Sequence, residues 1–195
     1  NQITYDFIDQ TDMSRVHGIA HGEMTEEELA DFRIRHHSYR VIFEGANENI
    51  NFDGKEMFRT YNNYFLGSDP EKWAGHVPLY GKIAGKSLYN KIDLITYSVD
   101  ENLKSDFIVH PGGKPGEIQL KYEGIDSMRL IYGELLLKLS VGDVYEHAPK
   151  AYQIINNRKI RVKCEYELDG NRLSFSFPKG YNPDFDLIID PELVF

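Results

Sequence analysis

Several residue types in this 195-residue chain could do chemistry, and seven of them are histidines. His17 and His21 stand four apart in "HGIAHG" and would share one face of a helix, but the two glycines argue against a helix there. His36 and His37 are adjacent, so in a strand they point to opposite faces and cannot share a metal simply. His76, His110 and His147 lie near turns. A zinc site needs three or four converging ligands, and no such set is visible in the spacing. Among the carboxylates, Asp93, Asp106 and Glu123 lie in strand-like segments. Two of them converging in a cleft would make a glycosidase pair; otherwise they are solvated or paired with Lys104 and Lys121. Asp184, Asp186 and Asp190 in "NPDFDLIIDPE" could hold a structural Ca2+, although their spacing is not that of an EF-hand loop. No other cofactor is implied. Cys164 has no partner for a disulfide and no local sign of an activating base, so it reads as a small, buried, unreactive thiol between Val162 and Tyr166. Nucleophile-elbow, P-loop, dinucleotide and zinc-protease signatures are all missing from the sequence.

The densest concentration of unusual side chains is "TYNNYFLGSDPEKWAGHVPLYGK", residues 60–82. Turn signals run through it, yet it holds Tyr61, Tyr64, Phe65, Tyr80 and the only tryptophan, Trp73. Loops are normally polar. The segment is therefore either a ligand platform made of Trp73, Tyr61, Tyr64 and Tyr80, or a loop folded back so that Trp73 enters the core. The second reading is preferred. It has Asp69-Pro70 turning the chain, Glu71 and Lys72 facing water, and Phe65 and Tyr80 beside a buried Trp73. A buried Trp73 would make Trp73→Ala cost about 3–5 kcal/mol.

These residues must be positioned by a soluble-type chain. Hydrophobic residues make up 41% and charged residues 27%, an ordinary globular balance. The formal charge of −9 repels phosphate backbones, which argues against nucleic acid as a partner. No apolar run approaches a membrane span, so no membrane insertion is expected. The start at Asn1 and the end in "LIIDPELVF" read as the cut ends of a processed protein or an excised domain.

Periodicity points to β structure. "ITYDFI", "HSYRVIFEG", "IDLITYSV" (92–99), "LKSDFIVHP" (103–111) and "IQLKYEG" (118–124) read as strands. "GELLLKLSVGDVYE" reads as two more, and "AYQIINNRKIRVKCEYELDGNRLSFSF" as three, turning at Asn156-Asn157 and Asp169-Gly170. The capping box of Thr25 and Glu28 predicts one short helix over 25–32. Ten or more short strands with so little helix predict an all-β, antiparallel, sandwich-like fold. One β-rich domain is expected over 1–195, with an irregular lead-in at 1–34 and a core at 35–195.

In order, "YNNYFLGSDPEKWAGHVPLYGKI", "SLYNKIDLITYS", "LKSDFIVHPGGKPGEIQLKYEG", "GELLLKLSVGDVYEHAPKAYQI" and "LIIDPELVF" resemble an uncharacterised β-rich domain of very large secreted bacterial proteins. That domain lies near their N-termini, before SBBP (β-propeller-type) repeats, PKD or other immunoglobulin-like modules and a gliding-associated, type IX C-terminal sorting domain. The resemblance covers about 40–195, and residues 9–34 match it poorly. It implies an extracellular or cell-surface, non-enzymatic module acting as a structural cap, spacer or adhesion domain. Its implied partners are the other domains of the same large protein; a protein partner is also open, and surface glycans are the first guess for a ligand because exposed Trp and Tyr faces can stack on sugar rings. No catalytic residue carries over from it. The alternative is a carbohydrate-active enzyme using a carboxylate pair.

Overall fold

The computed structural model describes residues 1–20, 25, 32–99, 102–191 and 193–194. Among the described residues, sixteen strands, all paired antiparallel, form three sheets. The first sheet joins β1 (Gln2–Ile8), β2 (His36–Glu44), β7 (Gln119–Glu123), β14 (Arg172–Ser176) and β13 (Glu165–Asp169). The second runs β12 (Arg158–Val162), β11 (Lys150–Ile155), β15 (Leu187–Asp190), β6 (Asn102–Val109), β5 (Ile92–Val99), β4 (Ala74–Tyr89) and β3 (Phe52–Tyr64). The third holds β16 (Leu193–Val194), β10 (Gly142–Glu146), β9 (Glu134–Leu139) and β8 (Ser127–Ile131).

Alternation explains the core. Tyr39, Val41 and Phe43 on β2, Leu120 and Tyr122 on β7, and Leu173 and Phe175 on β14 all point inward from the first sheet. Leu94, Phe107, Val109, Leu187 and Ile189 meet them from the second. Phe107 joins the two faces, its ring 6.2 Å from Phe43 and 6.0 Å from Phe175. The third sheet adds Leu135, Leu137, Leu139 and Val144 to the same cluster. The expected all-β, sandwich-like fold is what the chain adopts.

Four local expectations need correction. The strand read in "ITYDFI" is β1, paired with β2, but the lead-in after it is not irregular: a helix α1 (Gln10–Ala20) follows. Asp9 caps that helix, its carboxylate accepting from the backbone N–H of Thr11 and Asp12 at 2.9 and 3.2 Å. The helix runs through Gly18, so one glycine did not prevent it. Residues 26–31 of the helix expected over 25–32 and the side chains of His17 and His21 lie outside the described residues. Second, residues 150–176 form four strands, not three. The extra break falls at Lys163-Cys164, where the chain passes from the edge of the second sheet to the edge of the first. Third, Cys164 thus sits in this crossing rather than in a strand, and it is half-buried. It packs against the core, and burial pushes its thiol up to about 12, so it stays protonated. Fourth, the aromatic segment is no loop folded onto the core; it is most of one long hairpin.

Candidate binding surface on the β3–β4 arm

β4 is sixteen residues long, but β5 pairs with it only from Lys82 onward. Residues 74–81 therefore pair with β3 alone. At about 3.3 Å per residue, this two-stranded arm reaches roughly 25 Å beyond the three-stranded part of the sheet. No residue of β3 is buried. Glu56 takes a left-handed φ of 55° and starts a register shift between Met57 and Tyr61; a second shift follows between Asn62 and Tyr64. These irregularities twist the ribbon away from a flat sheet.

At the tip, the turn works as its sequence suggests. The Asp69 carboxylate accepts from the N–H of Glu71 at 3.2 Å, and Pro70–Lys72 form a short 3-10 turn. Where it carries Trp73 is different. Trp73 is 43% exposed, its indole N–H donating to the Gly67 carbonyl at 3.2 Å and its ring meeting Phe65 edge-on at 5.6 Å. The expected burial is wrong because the tip has no core within reach. Phe65 is the neighbour anticipated, but Tyr80 is not; it lies opposite Met57, with its ring over Gly54. Tyr61 stacks on His76 at 4.4 Å, and the Tyr64 hydroxyl accepts from the Asn62 amide at 3.3 Å. Eight of the eighteen exposed large hydrophobic side chains among the described residues fall between Met57 and Tyr80. The sequence reading named Trp73, Tyr61, Tyr64 and Tyr80; it missed Met57 and Phe58, whose strand lacks the alternation that marks a half-buried sheet.

The other candidates are dispersed. Asp93 accepts from the Ser87 N–H at 2.7 Å and meets His110 at 3.2 Å, while Asp186 holds the other ring nitrogen at 3.0 Å. Glu123 is paired with Lys121 at 2.7 Å and Arg40 at 2.8 Å on the first sheet. Asp106, on the outer face of the second sheet, accepts from the Tyr97 hydroxyl at 3.1 Å. Burial and the nearby Asp190 charge push Asp106 up to about 6. Asp184, Asp186 and Asp190 do not gather around one point: Asp186 serves His110 and Asp190 neighbours Asp106. No group of three or more metal-ligating side chains assembles among the described residues. His36 bonds Asp6, His37 bonds Ser140 and the Gly124 carbonyl, and His147 bonds Glu134, so these histidines tie strands together.

One buried acid escaped the sequence reading. Glu146 lies inside the fold and accepts from the Tyr122 hydroxyl at 2.8 Å. Burial pushes it up to about 7, against the pull of the Tyr122 and Tyr166 hydroxyls. The signal was there in "DVYE": alternation puts Glu146 on the same face as the core residue Val144.

Comparison with known proteins adds a family to this geometry. The domain of unknown function DUF7948 matches residues 1–192. The chain belongs to that family. The match takes in residues 9–34, which the resemblance read from the sequence motifs leaves out. No curated protein and no solved structure matches the chain.

Proposed function

We propose that this member of the DUF7948 family is a non-enzymatic, extracellular interaction module of a large exported surface protein, and that the β3–β4 arm is its binding element. The observation that supports this is the exposure of Trp73, Tyr61, Tyr64 and Tyr80 on a ribbon that contributes nothing to the core. Two-stranded ribbons are marginal in water by themselves. An arm carrying this much exposed apolar surface is better accounted for by a partner than by folding. Lys55, Glu56 and Arg59 along β3, with the register shifts, protect its free edge from simple strand addition. Recognition then falls to side chains. The arm carries Glu56, Asp69 and Glu71 against Arg59 and Lys72, so it is nearly uncharged. Aromatic faces on a nearly neutral ribbon suit the apolar CH face of a neutral sugar ring. An adhesion role through surface glycans follows, alongside the other modules of the same protein, the secretion route being the type IX, gliding-associated one.

The test is a screen of the wild-type chain on a glycan array, beside Trp73→Ala. A neutral-glycan signal that disappears in Trp73→Ala, with an almost unshifted melt, is the expected result. An empty array for the wild type removes the glycan reading. A second reading, carbohydrate cleavage by a carboxylate pair, draws on Asp106, whose carboxyl is raised to about 6 beside Asp190. Reducing-sugar release that is abolished in Asp106→Asn would favour it over adhesion.

A further inference from the structure

A second surface lies at the junction of the three sheets, far along the chain from the arm. The Lys163-Cys164 crossing lines one part of it, and the turn between β8 and β9 lines another. Together they bound an open cleft of about 1020 Å³. Ligand sites generally fall at roughly 300–1,000 Å³, so this one is ample for a sugar segment.

Its charge runs against that of the whole protein. Four cations, Lys150, Arg161, Lys163 and Lys179, line it beside two carboxylates, Glu134 and Glu165, and of the four Lys150 and Lys163 already have partners. Both carboxylates are already engaged, Glu165 by Lys163 at 2.6 Å and Glu134 by His147 at 2.9 Å. Arg161 and Lys179 form no ion pair among the described residues and are exposed. In a chain of formal charge −9, unmatched cations gathered in one cleft are a local reversal of sign. With a screening length of about 8 Å, local charges rather than the net charge govern what binds there.

The rim carries the second observation. Ile131 and Glu134 pair across a two-residue turn, Tyr132-Gly133, with φ of 52° and 88°. That turn geometry favours Asn-Gly. Elsewhere in this fold Asn156-Asn157 meets the same demand, with φ of 51° and 59°. At residue 132 a tyrosine occupies the left-handed position, where a bulky side chain is unfavourable. Tyr132 is fully exposed, so no packing offsets the cost. An unfavourable backbone conformation that presents a bare aromatic ring beside unmatched cations points to a ligand.

We propose that this cleft binds an acidic sugar: a uronic-acid or sulfated oligosaccharide whose ring stacks on Tyr132 and whose anionic group is taken by Arg161 and Lys179. Arginine offers the paired N–H donors that match a carboxylate or sulfate. The site is independent of the arm, whose near-neutral aromatics suit a neutral ring.

The experiment is calorimetric titration of the full chain with tetragalacturonate, its methyl ester, a chondroitin sulfate oligosaccharide and single-stranded DNA, at low and high salt. At least one of the acidic oligosaccharides should bind and the methyl ester should not, with affinity falling as salt rises. Arg161→Ala with Lys179→Ala should weaken binding about tenfold or more. Tyr132→Asn is the diagnostic variant. Asparagine suits the left-handed turn, so the melting temperature should hold or rise while binding drops about tenfold. The proposal is overturned by silence from both acidic oligosaccharides, by equal binding of the ester, by tighter binding of the DNA, or by a Tyr132→Asn variant that melts markedly lower and binds as before.

Discussion

The inner faces of the sandwich and the β3–β4 arm use the same residue types for opposite ends. Tyr39, Phe43, Phe107 and Tyr122 are among the most buried side chains of the protein, while Tyr61, Tyr64, Phe65 and Trp73 are among the most exposed. The chemistry of the side chains does not separate the two groups; strand partners do. A residue on β2 or β6 has neighbouring strands on both sides and a second sheet above. A residue on the distal half of β3 has one neighbouring strand and water. Aromatic content therefore reports that a segment is β structure, and only the number of layers around it reports whether the rings hold the fold together or wait for a partner.

Truncation should break the symmetry most sharply at the centre. Phe107 is 1% exposed and bridges both sheets, so Phe107→Ala should cost about 3–5 kcal/mol in a denaturant melt. The buried acid should give the next largest effect. Glu146 has a folded pKa near 7 against an ordinary 4.5. A raised carboxyl means the native state holds its proton while the unfolded chain has released it. Stability should thus fall as pH rises from about 4.5 to 7, by about 3 kcal/mol, and level off above. Glu146→Gln should remove most of that slope, and an unchanged slope would show that the acid is solvated. His110 acts in the same direction. Its pKa is raised by Asp186 and Asp93, so its contribution is complete below about 6.5 and is lost as pH rises through the folded value. Urea melts of His110→Asn should converge with wild type at alkaline pH and fall below it at acid pH.

The sandwich was legible because its strands alternate. Tyr39, Val41 and Phe43, then Ile118, Leu120 and Tyr122, mark an inner face in the sequence, and all six are buried. The strands β5 and β6 and the Asn156-Asn157 turn were legible for the same local reasons. The arm was not. "FDGKEMFRTYNNY" has no inner face to alternate against, since neither side of the ribbon is covered, and its bulges break the period. Turn residues such as Gly67, Asp69 and Pro70 were read correctly as a turn, but nothing local says how far that turn stands from the core. The cleft beside Tyr132 was equally hidden. Arg161 and Lys179 are eighteen residues apart and meet Tyr132 only through the packing of three sheets. The one sequence clue was a tyrosine before glycine where a hairpin turn prefers asparagine.

The smallest stability effect should come from the largest aromatic in the arm. Among the described residues the Trp73 side chain has one hydrogen bond, to the Gly67 carbonyl, and one ring contact, with Phe65, and both lie within the tip itself. An edge-on aromatic pair is worth about 0.5–1.5 kcal/mol when well packed, and exposed substitutions away from such features change stability by about 0.5 kcal/mol or less. Trp73→Ala should then cost no more than about 1 kcal/mol, and that loss should be confined to the arm. Hydrogen exchange separates this from a core effect. In Trp73→Ala, the amides of residues 57–81 should exchange faster while those of β5, β6 and β15 stay as slow as in the wild type, because local opening of the ribbon need not open the sandwich. Faster exchange throughout the second sheet would mean that the tip is coupled to the core after all, and the contrast between the two aromatic populations would lose its physical basis.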